Sequence, residues 1–354
     1  MTISRNPNIA ILGATGAVGQ EFIRLIEERN FPFHQLKLLA SARSAGKKLM
    51  VCGKEYTVEE ARPESFEGID IALFAGGSIS KVLAPEAVKR GAVVIDNSSS
   101  FRMDPLVPLV VPEINPEDIA WHHGIIANPN CSTIIMLMAL KPIYDISRIK
   151  RIIVSTYQAV SGAGKDGIDE LLNECEAYSQ GKEYTPKILP SASLPKHYPI
   201  AFNVITQIDV FRENDYTKEE MKMVNETHKI FHDDSIAITP TAVRVPVLRS
   251  HAESIYIETE EVVSVESVKK AVDAFPGTCL VDNPAEMEYP MPLDTSNKND
   301  VAVGRIRRDL TVENGRLIEC QIEAIPTKSY ILDLDKEDEA FIKAMREEGH
   351  RRLA

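Results

Sequence analysis

Cys131 stands in the run Asn128-Pro129-Asn130-Cys131-Ser132-Thr133, between two short apolar stretches at 125–127 and 134–140. That order reads as a strand, a polar turn and a helix, with the thiol near the helix N-terminus. The helix dipole there favours thiolate over thiol and the position is accessible. A thiolate is both nucleophile and leaving group, so the chemistry on offer is acyl transfer through a thioester. A lone cysteine is more commonly a small core hydrophobe, and Cys52, Cys175, Cys279 and Cys320 read that way.

Other residues carry weaker signals of their own. Gly13-Ala14-Thr15-Gly16-Ala17-Val18-Gly19 lies between an apolar run at 8–12 and an amphipathic stretch at 18–29. Glycine permits a tight turn and close approach of a pyrophosphate, whose charge meets the helix N-terminus. The same spacing also suits a merely packed strand-helix turn; the flanking strand and helix supply the context a dinucleotide site requires. Where an NAD site places an acidic residue for the ribose 2′-hydroxyl, the chain reads Ala40-Ser41-Ala42-Arg43-Ser44-Ala45-Gly46-Lys47. Arg43 with Ser41 and Ser44 suits a 2′-phosphate and hence NADP, although a solvated polar loop has the same composition. Glu219 and Lys222, three apart in a helical pattern, share a face, which alone is the spacing of a surface ion pair. Arg244 and His251, taken alone, pass for ordinary polar strand residues.

The elements that must position these residues follow from periodicity. Apolar runs at 8–12, 36–40, 69–74, 92–96 and 125–127 read as strands, with helical patterns at 18–29 and around 85–90. Strands separated by helices imply a parallel sheet with right-handed crossovers. From 149 onward the pattern changes. Alternating strands are expected at 152–158, 204–210, 242–247 and 253–258, and helices at 167–179, 218–231 and 265–274. Pro and Ser between 184 and 199 indicate a long loop, and a charged helix is expected at about 337–352. The fold class is therefore α/β: a Rossmann-type doubly wound parallel sheet plus an α+β mixed-sheet domain. The expected division is 1–130 for NADP binding, with a C-terminal helix at about 330–354 packing back on it, and 131–329 for catalysis and dimerisation.

The chain has 354 residues, 44% hydrophobic and 26% charged, enough for about two cores. A net charge of -12, spread along the chain, disfavours nucleic-acid or anionic-membrane partners, which require positive surface. No apolar run approaches the roughly 20 residues that cross a bilayer. Five scattered cysteines without a CxxC pair read as reduced thiols of a cytoplasmic protein, with no metal site.

The segments GATGAVG, SARSAGK, SSSFR (98–102), NPNCST, QAVSGAG (158–164), EExK (219–222) and RVPVLRSH (244–251) occur in this order. As an ordered set over about 8–315 they resemble the aspartate-β-semialdehyde dehydrogenase family. The resemblance implies NADPH-dependent reductive dephosphorylation of aspartyl 4-phosphate through a cysteine thioester, in the biosynthesis of lysine, threonine, methionine and isoleucine. It implies Cys131 as nucleophile, His251 as a general acid/base titrating near neutrality and Gln158 as the group that orients the thioester. Arg244 would hold the substrate carboxylate and Glu219 its amino group, while Arg102, Lys222 and Asn130 would hold phosphate. Gly13, Thr15, Gly16, Ala17, Val18, Ser41, Arg43, Ser44, Ser161 and Gly162 would bind the cofactor. A homodimer or a dimer of dimers is implied, with a small-molecule substrate and inorganic phosphate as the other partners. N-acetyl-glutamyl-phosphate reductase shares the chemistry, but its cysteine segment is nearer HPGCY. A catalytically silent dinucleotide-binding paralogue is the reading from another class. After Gly315 the chain departs from the family: the Gly-Ala-Ala helix start is missing, so the family's nicotinamide contact from that helix is not carried over.

Overall fold

The computed structural model describes residues 6–322. The chain divides into two compact units, one ending at Pro129 and the other beginning at Asn130.

In the first unit β1 (Asn8–Leu12), β2 (Gln35–Ala40), β5 (Glu59–Glu60), β6 (Ile71–Phe74), β7 (Val93–Asp96) and β8 (Ile125–Ala127) form one sheet in the order β5-β2-β1-β6-β7-β8, all parallel. β3 (Lys48–Val51) and β4 (Lys54–Thr57) form a separate hairpin. The run NIAIL is apolar throughout because both faces of β1 are covered. Ile9 and Ile11 meet Phe22, Ile23 and Ile26 of helix α1 (Ala17–Glu28), while Ala10 and Leu12 share a core with Leu83, Ala84 and Ala87 of α2 (Ser80–Lys89). The chain winds outward from β1 in one direction and resumes on its other side at β6. This reversal opens the crevice in which α/β sheets take ligands, beyond the carboxyl ends of β1 and β6.

In the second unit α3 (Cys131–Tyr144) leads into β9 (Ile149–Gln158), α4 (Gly164–Ser179), α5 (Lys218–Phe231), β10 (Ala237–Arg244), β11 (His251–Thr259) and α6 (Val265–Ala274). β12 (Thr278–Leu280), the single turn α7 (Pro292–Thr295), β13 (Val301–Arg308) and β14 (Gly315–Ile322) complete it. Its sheet has the order β10-β9-β11-β14-β13-β12, with β10 parallel to β9, β12 parallel to β13 and the other pairs antiparallel. The mixed sheet expected from the sequence is thus present. One expected strand is not: 204–210 is a loop that touches β10 only through the bridge Ile205–Arg244. Ile205 and Ile208 are buried but lie three apart and so not on one strand face, and the Asn203 and Asp209 side chains accept the following backbone N–H groups in place of a ladder partner. The strand expected at 242–247 lies earlier and ends at Arg244, before Pro246. The helix expected at 337–352 lies outside the described residues.

No helix among the described residues is long and apolar enough to cross a membrane. Of the cysteines expected in the core, Cys52 is exposed at the β3–β4 turn, where partial burial and Glu27 push its thiol pKa up and keep it protonated. Cys131, Cys175 and Cys279 are half-buried thiols.

Candidate active site

In the first unit the glycine run is a turn closed by backbone bonds: Gly13 and Ala14 N–H both donate to Leu39 O, and Gly16 N–H donates to Gly13 O. Gly13 has φ +84°, and a Cβ there would lie 2.6 Å from Ala75 O, so no other residue fits between β1 and the segment after β6. Gly16 caps α1, whose first turn carries no acidic residue, leaving its amide N–H groups open to an anion. Thr15, Ala17 and Val18 flank the cap and are half-buried. Ser41 and Arg43 are exposed just beyond β2; Ser44 is buried, so its hydroxyl does not share their open setting. Arg102 also belongs to this unit, where its guanidinium donates to Ser98 O (3.2 Å) and Asn97 O (3.1 Å).

The second unit brings Asn130, Cys131, Gln158, Ser161, Gly162, Glu219, Lys222, Arg244 and His251 together. Sheet topology does most of this. Gln158 ends β9 and pairs with Arg244, which ends the parallel strand β10. His251 opens β11, whose next residue Ala252 pairs with Tyr157. Three neighbouring strands therefore deliver Gln158, Arg244 and His251 to one edge of the sheet. The N-termini of α3 and α5 meet there too. Asn130 caps α3 by accepting Ser132 N–H, its own N–H donates to Glu226 (2.6 Å), and its amide donates to Glu219 Oε1 (3.0 Å). Cys131 is thus the first residue of α3.

Glu219 is the anion of this cluster. Its carboxylate accepts from Asn130, from Gln158 Nε2 (3.2 Å) and from Lys222 Nζ (2.7 Å). Burial alone would raise its pKa, but the Lys222 charge and these hydrogen bonds hold it down at about 2. The pair Glu219–Lys222, readable in sequence as a surface bridge, joins a buried carboxylate to a half-buried lysine, and Lys222 also lies 3.7 Å from Asp209. The Thr217–Glu220 capping box starts the helix, and Glu220 ties it to β10 by accepting Ala242 N–H (2.9 Å).

Arg244 and His251 share the backbone of one residue, Ala159. Ala159 O accepts from Arg244 Nη1 (2.7 Å), and Ala159 N–H donates to His251 Nδ1 (2.9 Å). Among the described residues Arg244 Nε and His251 Nε2 are buried without a partner. Gly162 lies over both: a Cβ there would be 2.8 Å from Arg244 Nη1 and 3.1 Å from the His251 ring. Burial and then the Arg244 charge lower the His251 pKa to about 3, against a smaller opposing effect of Glu219. Without substrate, burial thus favours the neutral imidazole. Burial lowers the Arg244 pKa, and the charges of Glu219 and Cys131 oppose that shift.

Sequence reading missed four contributors: Glu226, Thr156, Ala159 and Glu253. Thr156 hydroxyl donates to Gln158 Oε1 (3.0 Å) and so orients its amide. Glu253, on the β11 face shared with His251, is buried with both carboxyl oxygens unpartnered among the described residues; burial and Glu219 push its pKa well above the ordinary value. Strand alternation places Thr156 and Glu253 inward, which was the available signal. Ala159 acts through its backbone, and no side-chain signal exists for it.

Family models for the semialdehyde dehydrogenase NAD binding domain and dimerisation domain match residues 8–122 and 140–319, which defines the class. The chain is 54% identical to aspartate-semialdehyde dehydrogenase of Bacillus subtilis, over 88% of this chain and 91% of the relative. It is 55% identical to that of Aquifex aeolicus, over 87% and 90%. Aspartate semialdehyde dehydrogenase II of Vibrio cholerae, solved in complex with ASA, superposes with a TM-score of 0.87 at 44% identity, covering 92% of this chain and 95% of that one. The chain belongs to the aspartate-semialdehyde dehydrogenase family.

Proposed function

We propose that the chain reduces L-aspartyl 4-phosphate to L-aspartate 4-semialdehyde with NADPH, through a thioester on Cys131. The step belongs to the biosynthesis of lysine, threonine, methionine and isoleucine. The observation that carries this reading is the gathering of Arg244, His251, Gln158 and Glu219 in the unit that Cys131 opens. Cys131 sulfur attacks the acyl carbon and phosphate leaves. Arg244, with an unpartnered Nε, offers its fork to the substrate α-carboxylate. Glu219, held anionic, meets the α-ammonium, and Lys222, Asn130 and Arg102 take the phosphate. Gln158, oriented by Thr156 and Glu219, positions the thioester.

The first unit fits NADP: the open α1 N-terminus takes the pyrophosphate and Arg43 with Ser41 the 2′-phosphate. Gly162, which lies beside Arg244 and His251, and the preceding Ser161 are assigned to the nicotinamide end in this reading. When bound, NADPH supplies hydride to the thioester carbonyl. A homodimer, or a dimer of dimers, forms through the second unit. The N-acetylated glutamyl substrate is disfavoured by Glu219, since an amide carries no positive charge to balance a buried carboxylate.

The test is mass spectrometry of the full-length protein quenched with aspartyl phosphate in the absence of NADPH. An acyl adduct on Cys131, lost in Cys131→Ala, is expected. An adduct on Cys52 or Cys175 that tracks activity would overturn the assignment.

A further inference from the structure

The connection 245–250 joins Arg244 at the end of β10 to His251 at the start of β11, so its shape sets how the two side chains stand. Its middle is anchored to the segment after β9: Val160 N–H donates to Val247 O (2.9 Å) and Ser161 N–H to Leu248 O (3.2 Å). Its last residue stands differently. Ser250 is fully buried and has φ +73°, in the left-handed region. Glycine enters that region freely, whereas a residue with a side chain persists there only when its surroundings hold it. The ladder between β11 and β9 begins at Ala252, so that pairing does not fix the residue before His251.

Ser250 is held instead by α7. Its hydroxyl lies 2.5 Å from Thr295 Oγ1. The Thr295 hydroxyl has one proton, with Met291 O (3.2 Å) and Pro292 O (3.4 Å) as acceptors within its own turn, which leaves Ser250 as the donor of the pair. Thr295 is the one buried residue of α7; Pro292 is half-buried, and Leu293 and Asp294 are exposed. The turn therefore puts a single side chain into the protein, and that side chain ends on the residue before His251. α7 also packs on β14, whose Ile322 pairs with His251.

Resting on the reading above, in which His251 serves the reaction at Cys131, we infer that Ser250 and Thr295 are positioning residues: their hydroxyl pair locks the left-handed turn that sets His251 against Ala159 and Arg244. The pair does the work of a glycine. Glycine at 250 would reach this φ unaided, whereas serine needs a tie to keep it, and Thr295 is that tie. Loss of the Thr295 hydroxyl leaves the buried Ser250 hydroxyl without its acceptor. The serine then turns to another, and the backbone that carries His251 turns with it. Neither hydroxyl takes part in binding in this reading, so the effect falls on turnover and not on the substrate contacts of Arg244 and Glu219.

A double-mutant cycle on the full-length protein tests this, with aspartate semialdehyde, phosphate and NADP as substrates. Thr295→Val has the same shape without the hydroxyl. It should lower kcat about 10-fold, the fold-change of one lost hydrogen bond, and leave KM for aspartate semialdehyde within about twofold. Thr295→Ser keeps the hydroxyl and should stay within about threefold of wild type. The deciding variant is Thr295→Val in a Ser250→Gly background: with glycine holding the turn, kcat should lie within about threefold of Ser250→Gly alone. An equal loss in both backgrounds, or a kcat that tracks melting temperature across the set, makes Thr295 a stability contact and overturns the inference. Wild-type turnover in Thr295→Val does the same. Should Thr295→Val not fold by itself, Ser250→Ala takes its place, since it keeps the side chain at positive φ and drops the hydroxyl. Its kcat should lie about 10-fold below that of Ser250→Gly, and equal values overturn the inference. If wild-type protein forms no Cys131 adduct with aspartyl phosphate, the thioester reading fails; if the adduct forms and the cycle shows no coupling, only the present inference does.

Discussion

At the scale of single residues, the site is a set of charges held apart by deliberate geometry. Arg244→Lys keeps the charge but loses one of two parallel bonds to a carboxylate. A fall in kcat/KM of about 10- to 100-fold is expected, with kcat lowered as well, since about 1.4 kcal/mol is tenfold. Alkylation of Cys131 by a small reagent should stay near the wild-type rate, because lysine preserves the positive charge facing the thiol; full activity on aspartate semialdehyde would remove Arg244 from the carboxylate site. Gly162→Ala introduces a methyl carbon 2.8 Å from Arg244 Nη1. A displacement of that order in a reacting site costs about 100-fold, so activity should fall while the melting temperature holds. An active Gly162→Ala enzyme would show that the Arg244–His251 pair need not keep this spacing. Arg43→Ala should weaken NADP by about 1–3 kcal/mol, the scale of a lost charge-assisted hydrogen bond, and leave NAD almost unchanged. Titration calorimetry with both cofactors separates this from a general loss of nucleotide affinity.

At the scale of elements, strand ends and helix N-termini carry the site. The Thr217 hydroxyl caps α5 two residues before Glu219, and Thr217→Ala should destabilise the fold by about 0.5–2 kcal/mol in urea unfolding. The same logic explains what the sequence disclosed. β1, α1, β8 and α3 were legible because apolar runs, glycine and a polar turn follow one another in the local chain, and Cys131 inherited its position from them. α5 and α6 were legible to the residue, because their amphipathic pattern starts at Thr217 and Ser264, both N-caps. The meeting of Gln158, Arg244 and His251 was not, since it depends on β9 pairing with partners some 90 residues away. Family resemblance, not spacing, named those residues in advance. The loop at 204–210 was misread because its β-branched residues suggest a strand although only Ile205 and Ile208, three apart, are buried, and β10 was misplaced because Pro240 suits only its edge position.

At the scale of the whole molecule, three buried groups of the candidate site contribute to the response to pH. Glu219 has its pKa lowered from 4.5 to about 2, so its contribution is complete above pH 4.5 and is lost as pH falls toward 2. His251 is lowered from 6.5 to about 3, so the unfolded chain takes up a proton that the folded one refuses, and stability declines below pH 6.5. Glu253 is raised above 4.5 and acts in the opposite sense: the unfolded carboxyl ionises first, and stability declines as pH rises from there. Glu253→Gln, neutral and of the same shape, should therefore raise the melting temperature by an increment that grows between pH 5 and 8. A pH-independent increment would mean that Glu253 ionises normally in the fold. Light scattering should give twice the chain mass or four times it, and a monodisperse monomer at micromolar concentration would contradict assembly through the second unit.

The backbone of Ala159 holds His251 by its N–H and Arg244 by its carbonyl. What a peptide bond holds is shielded from side-chain mutation: any residue other than proline at position 159 carries the same two groups. Selection can erode Glu219 or Lys222 one codon at a time, but it can reach this junction only by bending the chain. Ala159→Pro, which removes the N–H and leaves the carbonyl, is the single replacement that would release one partner and keep the other.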